Sequence, residues 1–226
     1  MKRGVLILAV MMVLVVTPLF GGVAQTKHNF SSPTASPNAY FWGAQQVCVF
    51  CHAVHNADPN YGSLLNHELD PGTSYDMYTS DTMDMIQSAS PHEGSLICLS
   101  CHDGTIAVNS LNNLPGPEGA GLYGSPGGAG LDGSGMISSS SHAFVGTDLS
   151  DDHPVGLFYD STKDLNFHPK TGDGQSYPDK LLDDGLYVEC TSCHNPHDNT
   201  YTNFLVESNA GSKQRGRSSC VRINGV

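Results

Sequence analysis

The sequence predicts a mostly irregular fold with a few short α-helices and little β structure, packed around something other than its own side chains. Three observations lead there. The peptide Cys-x-x-Cys-His occurs three times, at Cys48–His52, Cys98–His102 and Cys190–His194. Apolar residues make up only 38 % of the 226, and the first twenty positions take a disproportionate share of them; an ordinary globular chain has about 45–50 % in a similar set that also counts glycine. Twenty-five glycines and 13 prolines interrupt every long periodic pattern. With only 14 % charged residues, however, the composition is not that of a disordered polyampholyte.

Taken in order, the chain begins with Lys2 and Arg3, an apolar run over 5–20, and the small residues Gly22-Val23-Ala24. Residues 1–24 therefore read as a signal peptide cleaved before Gln25, and the product is expected to be exported, to the periplasm or to the cell surface and beyond. No second apolar run approaches membrane-spanning length. Acidic residues number 22 against 10 basic ones, for a net charge of −12, and no Lys or Arg occurs between His28 and Thr162. Nucleic acid and anionic membrane surfaces, which need clustered basic residues, are excluded as partners on that ground.

Residues 25–212 read as one domain. Short helices are expected at the three motifs, over Ala44–His52, Leu96–His102 and Glu189–His194, each led by apolar residues: Val47, Leu96-Ile97 and Tyr187-Val188. Pro115–Gly135, with 9 glycines and 3 prolines in 21 residues, reads as a long surface loop without helix or strand. Pro154 keeps His153 out of helical geometry, so Asp151–Gly156 is expected to be a rigid extended turn. Tyr201–Glu207 is expected to be extended or a short strand. Residues 213–226 form a basic tail.

The spacing within the motifs has a chemical reason. Two thiols three residues apart lie on one side of a helical turn, where they reach the two vinyl groups of one porphyrin. The adjacent histidine then coordinates the iron. A disulfide framework accounts for an even number of cysteines but not for a histidine after every second one. Structural zinc wants four converging ligands, and thioredoxin-type pairs come singly in a βαβ setting. The reading is therefore three haem c groups and no fourth. Cys48, Cys51, Cys98, Cys101, Cys190 and Cys193 are the covalent attachment points, and His52, His102 and His194 the proximal ligands. Haem planes would also supply the missing interior, so the stripped polypeptide is not expected to fold.

Eight histidines lie outside the motifs: His28, His55, His67, His92, His142, His153, His168 and His197. Two of them repeat a pattern, since Cys51-His52-Ala53-Val54-His55 and Cys193-His194-Asn195-Pro196-His197 both read C-H-x-x-H. A histidine three residues beyond a proximal ligand cannot easily reach the opposite face of the same ring but can serve a neighbouring one. Methionine is the alternative sixth ligand. Beyond the leader only Met77, Met83, Met85 and Met136 remain, and the run Met77–Met85 is expected to pack against a haem face. The histidine supply favours bis-histidine iron of low potential.

At these residues the chain resembles small multihaem c-type cytochromes, and in particular the tetrahaem outer-surface cytochromes that polymerise into extracellular filaments. The matching phrases are Lys27-His28-Asn29-Phe30-Ser31, Cys48–Asn56, Cys98–Thr105, Gly146–Val155, Cys190–Asp198 and Phe204-Leu205. The resemblance implies that His28, His55, His153 and His197 are distal ligands, and that dense bis-histidine haem chains carry electrons between subunits. It breaks near the end. Where such relatives place a fourth C-x-x-C-H, this sequence has Ser218-Ser219-Cys220-Val221-Arg222, inside the basic tail. A reading-frame shift or a degenerate fourth motif would produce that pattern.

The expected function is accordingly electron transfer by a non-enzyme, outside the cytoplasm, with other redox proteins as partners and self-association into filaments as a further role. The alternative from a different class is a multihaem reductase, which needs one open iron position.

Overall fold

The computed structural model describes residues 22–31, 41–42, 46–114, 123–124, 130–163, 165 and 167–208. The apolar leader up to residue 21, most of Pro115–Gly135 and the basic tail lie outside these residues, so the readings made on them are left there.

Regular structure is sparse. Among the described residues the strands are β1 (Phe41–Trp42), β2 (Ile86–Gln87), β3 (Tyr123–Gly124), β4 (Leu157–Phe158) and β5 (Tyr187–Val188), and the α-helices are α1 (Glu93–His102) and α2 (Cys190–Cys193). Strands β2, β4 and β5 form an antiparallel sheet with β4 in the middle, and β1 pairs antiparallel with β3. The mostly irregular fold read from the sequence is what the chain shows, and no helix among the described residues is long and apolar enough to cross a membrane.

Local side-chain bonds replace most of the missing ladders. Asp58, Asp70, Asp103, Asp132, Asp148, Asp160, Asp173 and Asp198 each accept a hydrogen bond from the amide two residues on. Such Asx turns satisfy backbone donors that a helix or sheet would otherwise take. Asn66, fully buried, does the same over long range. Its amide group donates to Val49 O at 2.6 Å and Asn113 O at 3.0 Å, and its Oδ1 accepts from Asn113 N at 2.8 Å.

Helix α1 starts three residues before the predicted Leu96, because extended His92 caps it and its carbonyl accepts from both Ser95 N and Leu96 N. Helix α2 fits its predicted place, with Glu189 as N-cap and His194 as C-cap. The predicted helix over Ala44–His52 reduces to one 3₁₀ turn, Cys48–Phe50. The chain after it is captured instead by a returning strand, with Ala53 N donating to Leu64 O and Asn66 N to Cys51 O. Tyr201–Glu207 is likewise not a strand: Thr202–Phe204 is a 3₁₀ turn with Asn203 and Phe204 at positive φ, and only Leu205 makes a bridge. Strand β3 corrects the expectation that Pro115–Gly135 holds no strand. A two-residue pairing needs backbone groups and no packed side chain, which a glycine-rich segment can still provide. Asp151–Gly156 is non-helical, as Pro154 dictates.

Two small apolar clusters make the interior. One gathers Met85, Leu157, Tyr159, Phe167, Leu182 and Val188, with Met83 against it; the other gathers Phe50, Val108, Leu111 and Leu131. Met83 and Met85 pack with this core on the Leu157 side of the β2–β4–β5 sheet. Leu157 is 0 % exposed at the sheet centre. Leu157→Ala is expected to cost about 2–5 kcal/mol, read as a lower denaturant midpoint with little change in slope.

Candidate functional site

The first and third motifs are built alike. In each, a turn of helix closes with the histidine amide on the first cysteine's carbonyl, His52 N to Cys48 O at 2.8 Å and His194 N to Cys190 O at 2.9 Å. The chain then leaves and returns as an antiparallel bridge, His52 opposite Leu65 and His194 opposite Leu205. Matching amides also reach back to the second cysteine, Asn66 N to Cys51 O and Val206 N to Cys193 O. Just before each bridge partner stands a bulky residue with positive φ, Leu64 at 57° and Phe204 at 60°. That conformation is rare for such side chains. Here it accompanies one shared result: the preceding carbonyl meets the imidazole, Nδ1 of His52 donating to Ser63 O at 2.8 Å and Nδ1 of His194 to Asn203 O at 2.7 Å.

The second motif reaches the same end by another route. His102 ends α1, and its Nδ1 donates to Ala143 O at 2.6 Å, while Val145 N returns a bond to His102 O at 2.8 Å. Gly104, with φ +71°, is needed there: a Cβ would lie 2.4 Å from the Phe144 ring that covers it. Buried Asp103 fixes the turn, accepting from Thr105 and, at 2.7 Å, from the Tyr75 hydroxyl. All three motif histidines therefore have Nδ1 committed to a carbonyl. This fixes the tautomer that leaves the Nε2 lone pair available, which is how metal-bound imidazoles are usually held.

Two of these rings face a second imidazole from a distant segment. His52 and His197 have ring centroids 5.9 Å apart with planes 15° from parallel; His102 and His28 are 6.0 Å apart with planes 89° apart. Two imidazoles on opposite sides of one metal ion, with bonds of about 2 Å and about 1.2 Å more from nitrogen to ring centre, would place their centroids about 6.3 Å apart. Both pairs are close to that spacing. His28 is presented by the turn Thr26–Ser31, where Thr26 Oγ1 accepts from His28 N at 3.2 Å and buried Asn29 Oδ1 accepts from Ser31 N at 3.1 Å. Burial, and His102 beside it, push the His28 pKa down to about 4, and its buried Nδ1 has no hydrogen-bond partner. A neutral ring with an unpartnered nitrogen is what a metal ligand has to be. His197 is held by an Asx turn, its amide donating to Asn195 Oδ1 at 3.1 Å.

Cys48, Cys51, Cys98, Cys101 and Cys190 are neighbours, and none of these five is in a disulfide. The neighbouring Cys190 pushes Cys98 up, and Cys98 in turn pushes Cys190 down. Cys51 is pushed up to about 12, first by desolvation and then by Cys101 and Cys48. Solvent still reaches its side chain, so that shift marks crowding at the sulfur more than burial of the residue. Among the described residues no group of three or more His, Cys, Asp and Glu side chains is placed to hold a bare metal ion. A porphyrin brings four ligands of its own, so its iron would ask the protein for two imidazoles, and its vinyl groups for two thiols. The donor set here fits that demand at the first and second motifs.

The remaining candidates divide. His55 and His153 are exposed, and no ring contact joins either to His194. His67 is buried with Nδ1 at 2.8 Å from Glu68 O and Nε2 at 3.1 Å from Ala107 O and 3.4 Å from the Cys101 sulfur; burial lowers its pKa, so the neutral ring donates to one of the two carbonyls. His92 is paired with Glu189 at 2.8 Å, and His168 stands edge-on to Tyr177. The carbonyls of Ser63, Ala143 and Asn203, the Phe204 ring stacked 4.6 Å from His28, and Glu189 were not found by reading the sequence. Of these only Glu189, a lone acidic residue directly before a motif, left a trace that could have been followed.

The chain matches no protein-family model and no curated protein. The anchored geometry itself makes a prediction. In the intact protein the Nδ1 protons of His52, His102 and His194 exchange slowly with solvent, as three protected ring resonances in proton NMR; three rapidly exchanging rings would contradict it.

Proposed function

We propose that the protein is an exported electron-transfer cytochrome carrying three covalently attached c-type haems, its irons held by paired histidines, and that it passes electrons to other redox proteins or to further copies of itself. The observation that carries this reading is the pair of facing imidazoles at about 6 Å, each built from one Cys-x-x-Cys-His histidine anchored through Nδ1 and one histidine from far along the chain. Haem, when bound, supplies a one-electron ferric–ferrous couple.

The chain's own residues do the rest. Cys48 and Cys51, Cys98 and Cys101, and Cys190 and Cys193 would tether the groups; His52, His102 and His194, kept in one tautomer by carbonyls, would bind the irons, with His197 and His28 as second ligands at the first and second motifs. An acidic surface, with 22 carboxylates against 10 basic side chains, favours the oxidised state and draws basic partners into brief contacts. Export, filament formation and the family resemblance belong to the same proposal.

One observation favours a second reading. Among the described residues no imidazole faces His194 in the way that His197 faces His52, and an iron with an open position is what a multihaem reductase requires. Exposed His55 and His153 are the residues able to close it.

Intact-mass spectrometry of the secreted protein tests the proposal: the polypeptide mass plus three haems is expected, with Cys220 unmodified. A colourless protein of polypeptide mass alone would overturn it. Ligand assignment is tested by substitution. His197→Ala is expected to turn one haem in three high-spin and able to bind carbon monoxide, whereas His67→Ala leaves the spin state unchanged. The reverse outcome would remove His197 from the site.

A further inference from the structure

The N-terminal ends of α1 and α2 meet at a carboxylate that belongs to neither motif. Glu189 is 1 % exposed. Its oxygens accept from the Ser95 hydroxyl, from the His92 amide at 3.3 Å and ring Nδ1 at 2.8 Å, and from the Ser192 amide in a capping box. The Ser95 oxygen is itself an acceptor from Cys190 N at 2.9 Å, so the hydroxyl hydrogen is left for Glu189. A carboxylate ringed by four donors is held in its charged form by geometry. Burial works the other way and raises its pKa, while the bonds from Ser95 and His92 oppose that rise.

The same carboxylate closes the gap between the two helices. At Gly94 a Cβ would lie 2.5 Å from Thr191 Oγ1 and 3.1 Å from both Glu189 Cβ and Asp183 Oδ1. Only a glycine lets α1 approach α2 this closely, and the approach brings Cys98 and Cys190 close enough to shift one another. The other charged groups at this end of α1 are Glu93, Asp183 and Asp184, all acidic; His92 is the one basic neighbour among the described residues. Along the helix axes, at about 1.5 Å per residue, Glu189 lies about 8 Å before His194, and its partner Ser95 about 11 Å before His102.

We infer that Glu189 is a positioning residue shared by the second and third motifs, one buried negative charge that locks their helices together and holds the irons bound at His102 and His194 at lower potential than a neutral side chain would. A fixed anion at this range in a dry interior stabilises ferric over ferrous iron. The first motif has no hydrogen bond to Glu189 and is the internal control. The inference rests on the function proposed above.

The test is a redox titration of the intact, haem-loaded protein, resolved for each haem by NMR of the porphyrin methyl groups at successive stages of reduction. In Glu189→Gln, which keeps the shape and removes the charge, the midpoints of the second and third irons are expected to move to more positive values, with the first moving least. In Glu189→Asp, which keeps the charge, they stay nearer those of the parent. If Glu189→Gln does not accumulate, Ser95→Ala decides, since it keeps the carboxylate and removes a hydroxyl donor that offsets its charge; the same two midpoints are then expected to fall. Three unmoved midpoints, or three moved equally, would overturn the role of Glu189 while leaving the cytochrome reading intact. A parent protein with no haem would overturn that reading instead.

Discussion

A hydrogen bond from an imidazole Nδ1 to a backbone carbonyl recurs at all three Cys-x-x-Cys-His motifs, and much of the surrounding chain is arranged to supply that carbonyl. Leu64 and Phe204 take a backbone conformation that their side chains disfavour, and Ser63 and Asn203 thereby present their oxygens. At the second motif the accepting carbonyl comes from Ala143, 41 residues beyond His102, with Phe144 laid over Gly104. A histidine free to rotate, or free to exchange tautomers, could not offer one nitrogen in one direction. Three different stretches of chain solve that problem with the same bond.

This constraint also accounts for how little regular structure there is. Helices of 10 and 4 residues and two-residue strands cannot between them satisfy the backbone. Asx turns, the Asn66–Asn113 staple and the Glu189 junction take over. They place polar side chains on individual amides where a ladder would place backbone. The price is a divided interior, with one cluster around Leu157 and another around Phe50, neither of which alone resembles the core of an ordinary domain of this length. The first and third motifs, superficially just a shared C-H-x-x-H spelling, prove to be copies of one returning loop. That likeness extends through the positive-φ residue and the bridge partner.

The motifs, their turns and the scarcity of secondary structure were legible in the sequence because each depends on neighbours a few residues away. So was the extended geometry at His153, which Pro154 alone dictates. The pairings were less accessible. Nothing local to His28 says that it meets His102, and nothing in Asn195–His197 says that it meets His52; those contacts depend on how loops return. The helix expected at Ala44–His52 failed for the same reason, since the returning Leu64–Asn66 segment captures backbone groups that a longer helix would use. The cluster that Met85 makes with Leu157 and Val188 was hidden too, since those residues lie far off in the chain. Glu189 was invisible as a junction because its partners Ser95 and His92 lie more than 90 residues earlier.

Two motif histidines each stand about 6 Å from an imidazole of a distant segment, and the proposed function needs those pairs to share an iron. Low-temperature electron paramagnetic resonance of the oxidised protein tests that most directly. Low-spin ferric signals accounting for at least the two irons of the first and second motifs are predicted. A spectrum dominated by high-spin ferric iron, or one with no ferric signal at all, would contradict the account.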